Sequence, residues 1–123
     1  TTEVAVAEII EKNSFEESCL ISSYFHTTIK IMKSYSQKIH TVALITGEPV
    51  NIAEMVKQAS AEAAFANQYY ITPQMVSKLH NAGMKIFVGN CNTEEDIKCM
   101  LKLKVDGICS DLPDLLARVL EEK

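Results

Sequence analysis

Polar side chains that can contact a ligand follow several short apolar runs of this sequence. Ser23 and Tyr24 close one such run, Asn67 closes another, and Asn90 and Asn92 follow a third. Hydroxyl and amide groups donate and accept hydrogen bonds, so these side chains are candidates for lining a pocket that binds a polar small molecule. Each also has a local alternative, because Ser and Asn at strand ends commonly form turns or cap helices.

Metal chemistry and acid–base chemistry have little support in these residues. Asp111 is the one carboxylate among the strand ends, whereas Mg²⁺ or Ca²⁺ needs several converging oxygen ligands. His26, His40 and His80 lack a ligand spacing such as His-x-x-x-His. We therefore predict no metal site within this segment, and we expect Asp111 to cap the last helix.

A regular alternation of short apolar runs and amphipathic segments positions these side chains. We predict an opening helix over residues 2–13 and then five strands, each followed by a helix. The predicted strands are residues 19–24, 39–45, 63–67, 85–90 and 105–110. Thr72 and Pro73 form a helix start, and Gly83 is the matching stop.

Strands that are apolar throughout indicate a parallel sheet, because a strand buried on both faces has no side that needs polar residues. Two α/β architectures fit the repeated strand–helix units. One is an open doubly wound sheet, and the other is part of a closed (β/α) barrel.

Composition excludes several classes of protein. A length of 123 residues suits one domain over residues 1–123, and 47% apolar with 23% charged residues is typical of a soluble folded chain. A net charge of -4 without a basic stripe disfavours nucleic-acid binding, and no apolar run approaches the roughly 20 residues that span a bilayer.

The cysteines have no Cys-x-x-Cys spacing, so we expect buried thiols in a reducing, cytoplasmic compartment; they are Cys19, Cys91, Cys99 and Cys109.

Three short motifs, taken in order, resemble the glycerophosphodiester phosphodiesterase family. Residues 82–96 and 105–113 are similar to the family's closing signature, in which a strand ends in Trp-Thr-Val-Asn and the next ends in Val-Asp-Gly-Ile-x-Thr-Asp-x-Pro. Residues 21–24, Ile-Ser-Ser-Tyr, are similar to the family's Val-Ser-Ser-Phe strand end, and Thr72 falls where the family places a Leu-Thr-x-x-x-Val helix. The likeness spans nearly the whole chain but matches the last half of a family domain of about 250 residues.

The resemblance implies a fold and an activity. It implies the C-terminal part of a TIM barrel, with about five strand–helix units, from a phosphoric diester hydrolase of lipid metabolism. Such an enzyme uses a divalent cation, Mg or Ca, to hydrolyse a small-molecule glycerophosphodiester to an alcohol and glycerol 3-phosphate. The family's His-Arg-Gly, Glu-Leu-Asp, His-Asp and Glu-x-Lys strand ends are absent here, and Gly89 replaces the Trp of the closing signature while Asn92 is retained. The resemblance therefore implies no catalytic residue in this segment, and we expect the segment alone to be inactive.

A half barrel would end in two parallel edge strands with unpaired backbone groups. We therefore expect a fragment of a larger chain, a product that has lost its N-terminal half, or a half that completes its sheet by self-association. The start at Thr1 without Met fits processing or a deliberate cut. The alternative is a non-catalytic open-sheet domain that binds a small molecule or a protein, and a strand order that reverses in the middle would favour it.

Overall fold

Helices and strands alternate along residues 1–122, which the computed structural model describes. The helices are α1 (Thr2–Lys12), α2 (His26–Tyr35), α3 (Ile52–Gln58), α4 (Pro73–Asn81), α5 (Glu94–Lys102) and α6 (Pro113–Glu121). The strands are β1 (Leu20–Ser23), β2 (His40–Ile45), β3 (Ala63–Asn67), β4 (Lys85–Gly89) and β5 (Gly107–Ile108). Single 3-10 turns, Glu16–Ser18 and Gln68–Tyr70, precede β1 and follow β3. The five predicted strand–helix units are all present.

The five strands form one parallel sheet in the order β1-β2-β3-β4-β5. Each strand pairs with the next one in sequence, and right-handed crossovers then place every connecting helix on the same face. A doubly wound sheet would reverse its strand order, and this sheet does not. The topology is that of a barrel wall.

The main core lies between the sheet and its helices. Ala43, Ala64 and Ile86 face the helices from three neighbouring strands and are fully buried. They pack in one cluster with Leu79 of α4 and Ile97 of α5. Burial of such side chains stabilises the fold by roughly 1.5–3 kcal/mol for each Leu or Ile.

The opposite face of the sheet carries no helix among the described residues. Because side chains alternate along a strand, every second residue points to this face. They line an apolar cavity of about 500 Å³, here called the concave face; its lining includes Leu20, Ser22, Leu44, Phe65, Phe87 and Cys109. Phe65 and Phe87 are register partners on β3 and β4. Strands β1 and β5 form the two edges of the sheet.

Ionic contacts join the amino ends of the strands to the helices. Lys33 is buried, and its Nζ lies 2.7 Å from both the carbonyl oxygen of Ile39 and Oε1 of Glu62, whose other oxygen lies 2.8 Å from His40 Nδ1. In a barrel this end contributes stability, whereas ligands bind at the carboxyl ends of the strands.

The predicted helix boundaries are largely confirmed. The Thr72 hydroxyl accepts a hydrogen bond from the backbone N–H of Met75, and Gly83 adopts a positive φ of 75° after α4. Strand β5 is shorter than predicted, although backbone bonds from Asp106 to Ile86 and from Cys109 to Val88 continue its pairing with β4.

The expectation of buried thiols was only partly right. Cys91 is buried, but Cys99 and Cys109 are exposed. Cys109 lines the concave face, which no other element of the described chain covers. None of the helices in residues 1–122 has the length and apolar character needed to cross a bilayer.

Candidate functional site

Two asparagines and one aspartate meet at the carboxyl ends of β4 and β5. Asn90 and Asn92 each donate a side-chain amide N–H to Oδ2 of Asp111, at 3.1 and 2.8 Å. In return, Oδ1 of Asn92 accepts the backbone N–H of Asp111 at 2.9 Å and the hydroxyl of Ser110 at 3.1 Å. The loops after β4 and β5 are thereby held together by side chains. We call Asn90, Asn92, Ser110 and Asp111 the amide–carboxylate cluster.

Gln68 connects this cluster to the neighbouring strand β3. Its Nε2 donates to the carbonyl oxygen of Asn90 at 2.9 Å and to Oδ2 of Asp96 at 3.2 Å. Its Oε1 accepts from the Cys91 thiol, with the sulfur 3.4 Å away. Sequence reasoning missed Gln68, and the available signal was its position directly after the strand end at Asn67.

Asp111 is ionised at neutral pH. The hydrogen bonds from the Asn92 amide and then the Asn90 amide lower the pKa of its carboxyl group, because they stabilise the charged form. Both bonds fall on Oδ2, so within residues 1–122 the other carboxylate oxygen remains available to a ligand. The Asp111 carboxylate contacts two side-chain amides, which bring no compensating positive charge.

The prediction that Asp111 caps the last helix was wrong. The residue that precedes α6 is Leu112, and no side chain caps this helix. The Asp111 carboxylate instead turns across to β4, where two amide donors are available. Both bonds are charge-assisted, because the accepting carboxylate is ionised.

The other predicted pocket residues have local hydrogen-bond partners. The Ser23 hydroxyl accepts the backbone N–H of Phe25 at 2.9 Å, and Oδ1 of Asn67 accepts that of Tyr69 at 3.0 Å. Tyr24 is exposed. The hydroxyl that does line the concave face belongs to Ser22. Substrate contacts by Ser23, Tyr24 and Asn67 therefore stay a prediction, as do those by Asn90 and Asn92.

Gly89 and Gly107 leave room for two aromatic rings on the concave face. A Cβ atom at Gly89 would lie 2.9 Å from Cys109 Cβ and 3.0 Å from Phe65 Cζ, so the neighbouring Phe65 ring and β5 already fill this space. A Cβ at Gly107 would lie 2.5 Å from Cδ1 of Phe87. The two glycines thus allow the Phe65 and Phe87 rings to lie close against the adjacent strands.

The described residues do not fit a divalent metal by themselves. Within residues 1–122, no three His, Cys, Asp or Glu side chains converge in a way that could hold an ion. The Cys91 thiol is a poor ligand and a poor nucleophile, because burial and the nearby Asp96 carboxylate raise its pKa to about 11. We assign no metal ligand to this chain.

Comparison with known families decides what the chain is. The model of the glycerophosphoryl diester phosphodiesterase family matches residues 3–115. This chain belongs to that family. A glycerophosphodiester phosphodiesterase of Bacillus altitudinis is 32% identical over 123 residues, which cover 98% of this chain and 50% of the relative. The predicted family is confirmed.

Solved structures of phosphodiesterases have the same fold. A putative glycerophosphoryl diester phosphodiesterase from Silicibacter pomeroyi superposes with a TM-score of 0.90 at 20% identity, over 98% of this chain and 43% of that chain. A phosphodiesterase from Oleispira antarctica in complex with the product sn-glycerol-3-phosphate gives a TM-score of 0.86 at 20% identity, over 98% and 49%. The predicted α/β fold of parallel strand–helix units from a TIM barrel is confirmed.

The chain spans about half the length of the curated relatives it matches. In the family's closing signature, Gly89 and Asn92 take the first and last positions of the strand end. The structure now gives both a role: Gly89 admits the Phe65 ring, and Asn92 binds Asp111.

Proposed function

We propose that this chain forms the C-terminal part of a metal-dependent phosphodiesterase that hydrolyses glycerophosphodiesters to an alcohol and glycerol 3-phosphate. The observation that carries the proposal is the family match over residues 3–115, which coincides with an unreversed five-stranded parallel sheet. Polypeptide outside this sequence, the N-terminal half of the barrel, supplies the metal ligands and the acid–base residues. This segment alone is inactive.

The amide–carboxylate cluster gives this chain its part in substrate binding. Amide N–H groups and a carboxylate oxygen at the carboxyl ends of barrel strands suit the hydroxyl groups of a glycerophosphodiester. The cluster carries no positive charge, so it does not offset the charge of the phosphate. The complete enzyme holds a divalent cation, Mg or Ca, for that purpose, and its ligands lie elsewhere.

The concave face supports completion of the sheet by another polypeptide. A closed barrel of this class has about eight strands, so about three remain to be supplied beside β1 and β5. Two copies of this chain would bring about ten strands, which fits a closed barrel less well. The N-terminal half of the same protein is therefore the better partner, and self-association is the outcome in its absence. Nucleic acid is not a partner, and placement in the cytoplasm stays a prediction.

The alternative, a non-catalytic open-sheet domain that binds a small molecule or a protein, has no specific support. That architecture places its ligand where the strand order reverses. The order β1-β2-β3-β4-β5 contains no reversal.

The test is an assay of glycerophosphodiester hydrolysis with added Mg²⁺ or Ca²⁺. It compares this chain with a longer product of the same gene that contains it. We expect hydrolysis by the longer product and none by the chain alone. Activity of the chain alone would refute the assignment of the chemistry to other polypeptide. An inactive longer product that carries a His-Arg-Gly strand end would refute the phosphodiesterase function.

A further inference from the structure

The most exposed apolar side chains lie at the carboxyl end of the sheet. Phe25, Val50 and Tyr69 are 75%, 90% and 83% exposed, more than any other large hydrophobic side chain of residues 1–122. They belong to the loops after β1, β2 and β3, which are neighbours in the sheet. Because these strands are parallel, all three loops leave the sheet at the same end. We call the three residues the apolar rim.

Each residue of the apolar rim has a backbone polar group that is bonded within the protein. The two aromatic members donate their backbone N–H groups inside their own turns, to Ser23 Oγ at 2.9 Å and to Asn67 Oδ1 at 3.0 Å. The carbonyl oxygen of Val50 accepts from Nζ of Lys78 in α4, at 2.9 Å. A polar group that leaves water without a partner is costly to bury. These bonds therefore lower the cost of moving the rim into a less polar medium.

The loops that carry the apolar rim have almost no charge. Residues 24–25, 46–51 and 68–72 contain Glu48 but neither Lys nor Arg. Peripheral proteins that bind anionic membranes do so through clustered Lys and Arg. A rim without these residues, on a chain with a net charge of -4, favours an uncharged surface over an anionic one.

The placement of the apolar rim favours a lipid surface over a protein partner. Protein interfaces gather their apolar anchors in one closely packed centre, whereas the rim residues belong to three separate turns. They do not line the concave face either, so a polypeptide that covers that face does not bury them by doing so. Aromatic side chains are favoured at the boundary between lipid headgroups and acyl chains.

We propose that the apolar rim docks this protein on a membrane surface of zwitterionic lipid, with its three side chains at the level of the headgroups. The attachment is peripheral, and it turns the carboxyl ends of the strands, where barrels bind their ligands, toward the lipid. Docking requires no hydrolysis, so it goes beyond the proposed function and can fail or succeed independently of it.

A fluorescent reporter tests the docking directly. The sequence contains no Trp, so Tyr69→Trp introduces a single indole into the rim. We expect phosphatidylcholine vesicles to shift its emission to shorter wavelength, and brominated phosphatidylcholine to quench it. Tyr35→Trp is the control, because Tyr35 is an exposed residue at the far end of α2. Unshifted emission from Tyr69→Trp, or an equal shift in both variants, would overturn the proposal.

Cosedimentation with phosphatidylcholine vesicles measures the contribution of the other two rim residues. The double variant Phe25→Ser with Val50→Ser should partition to the vesicles about tenfold more weakly, since it removes two apolar side chains. Tyr35→Ser with Ile9→Ser removes one aromatic and one branched side chain from exposed positions on α2 and α1, and should bind as the unsubstituted chain does. Equal binding by the two double variants would overturn the proposal. Circular dichroism checks that both fold, and the tryptophan reporter decides the question if one does not.

Lipid composition and chain length separate this docking from other associations. Binding to vesicles of equimolar phosphatidylcholine and phosphatidylglycerol should be about two- to fivefold weaker than to phosphatidylcholine alone, because the chain is acidic. Stronger binding to the anionic mixture would contradict docking through this rim. A longer product of the same gene should bind as well as this chain, and failure of the longer product alone would show that other polypeptide covers the rim. Absence of vesicle binding, together with weaker self-association of Phe25→Ser with Val50→Ser, would assign these residues to a protein interface and overturn the proposal.

Discussion

Nδ2 of Asn92 lies 2.8 Å from Oδ2 of Asp111, and the backbone N–H of Asp111 lies 2.9 Å from Oδ1 of Asn92. This reciprocal pair joins the loops after β4 and β5, two strands that share only a short ladder. The pair thus extends the pairing of the sheet by side chains into the candidate site. It also accounts for the retained Asn of the family signature in structural terms.

Asn92→Ala removes the three hydrogen bonds that this side chain makes with Ser110 and Asp111. Asn67→Ala is the matched control, because it removes a single turn bond to Tyr69. We expect the loss in the free energy of unfolding to be about threefold larger for Asn92→Ala, since each net hydrogen bond contributes a similar amount. Urea unfolding followed by circular dichroism measures both. Equal losses would show that the reciprocal pair adds nothing to stability.

Gly107→Ala should destabilise the fold by about 1–3 kcal/mol, because the new methyl group overlaps the Phe87 ring. Phe87→Leu in the same chain removes the obstructing ring edge. We therefore expect the double variant to lose less than the sum of the single variants, with a coupling of about 0.5–3 kcal/mol. Additive losses in urea unfolding would contradict the close approach of Phe87 to β5.

Acid should weaken the amino end of the sheet through Asp106. Burial alone would raise the pKa of this carboxyl group, but hydrogen bonds from the backbone N–H of Ile86 and from His80 outweigh burial and lower it. The contribution of a carboxyl group with a lowered folded-state pKa is complete above its unfolded pKa of about 3.9 and is lost as the pH falls through the folded value.

Asp106→Asn should therefore reduce the loss of stability between about pH 5 and pH 3. Asp114→Asn, which changes an exposed carboxylate in the first turn of α6, serves as its control. Thermal unfolding at several pH values measures the difference. The same acid sensitivity in Asp106→Asn and the unsubstituted chain would show that this carboxylate does not act as described.

Lys33 and Glu62 contact each other, but we expect substitutions of the two residues to have unequal effects on stability. Glu62→Ala leaves the buried ammonium group of Lys33 with the Ile39 carbonyl oxygen alone. We expect a loss of about 1–3 kcal/mol, below that for a fully buried pair because Glu62 is half exposed. Lys33→Met replaces the ammonium by an apolar group of similar size and should change stability by less. A larger loss for Lys33→Met in urea unfolding would contradict this ranking.

Local sequence signals were sufficient for most of the fold. Thr72, Pro73 and Gly83 bound α4 as predicted, because capping and glycine stops depend on neighbours in sequence. Strand β5 was overestimated because an edge strand has a partner on one side only, and its length depends on β4. The choice of a barrel over an open sheet required the resemblance, since both architectures share the same repeats.

The candidate site was harder to predict, because its contacts connect distant parts of the chain. Asp111 binds side chains about twenty residues away instead of capping the adjacent helix. Gln68 reaches Asn90 from the preceding strand unit. Alternation along β1 places Ser22 on the concave face, but which of the two alternate sets of residues faces the helices is visible only in the structure. Residue types at strand ends indicate where the candidate site lies, whereas the hydrogen-bond partners of its residues depend on strand register.

The mass of the chain in solution tests most directly whether these five strands are an incomplete wall of a barrel. Sedimentation equilibrium, combined with hydrogen exchange at the backbone amides of β1 and β5, measures both assembly and edge protection. We expect species heavier than 13.7 kDa, because the concave face and the two sheet edges associate when no other polypeptide covers them. A single species of 13.7 kDa with slowly exchanging amides in both edge strands would contradict the account.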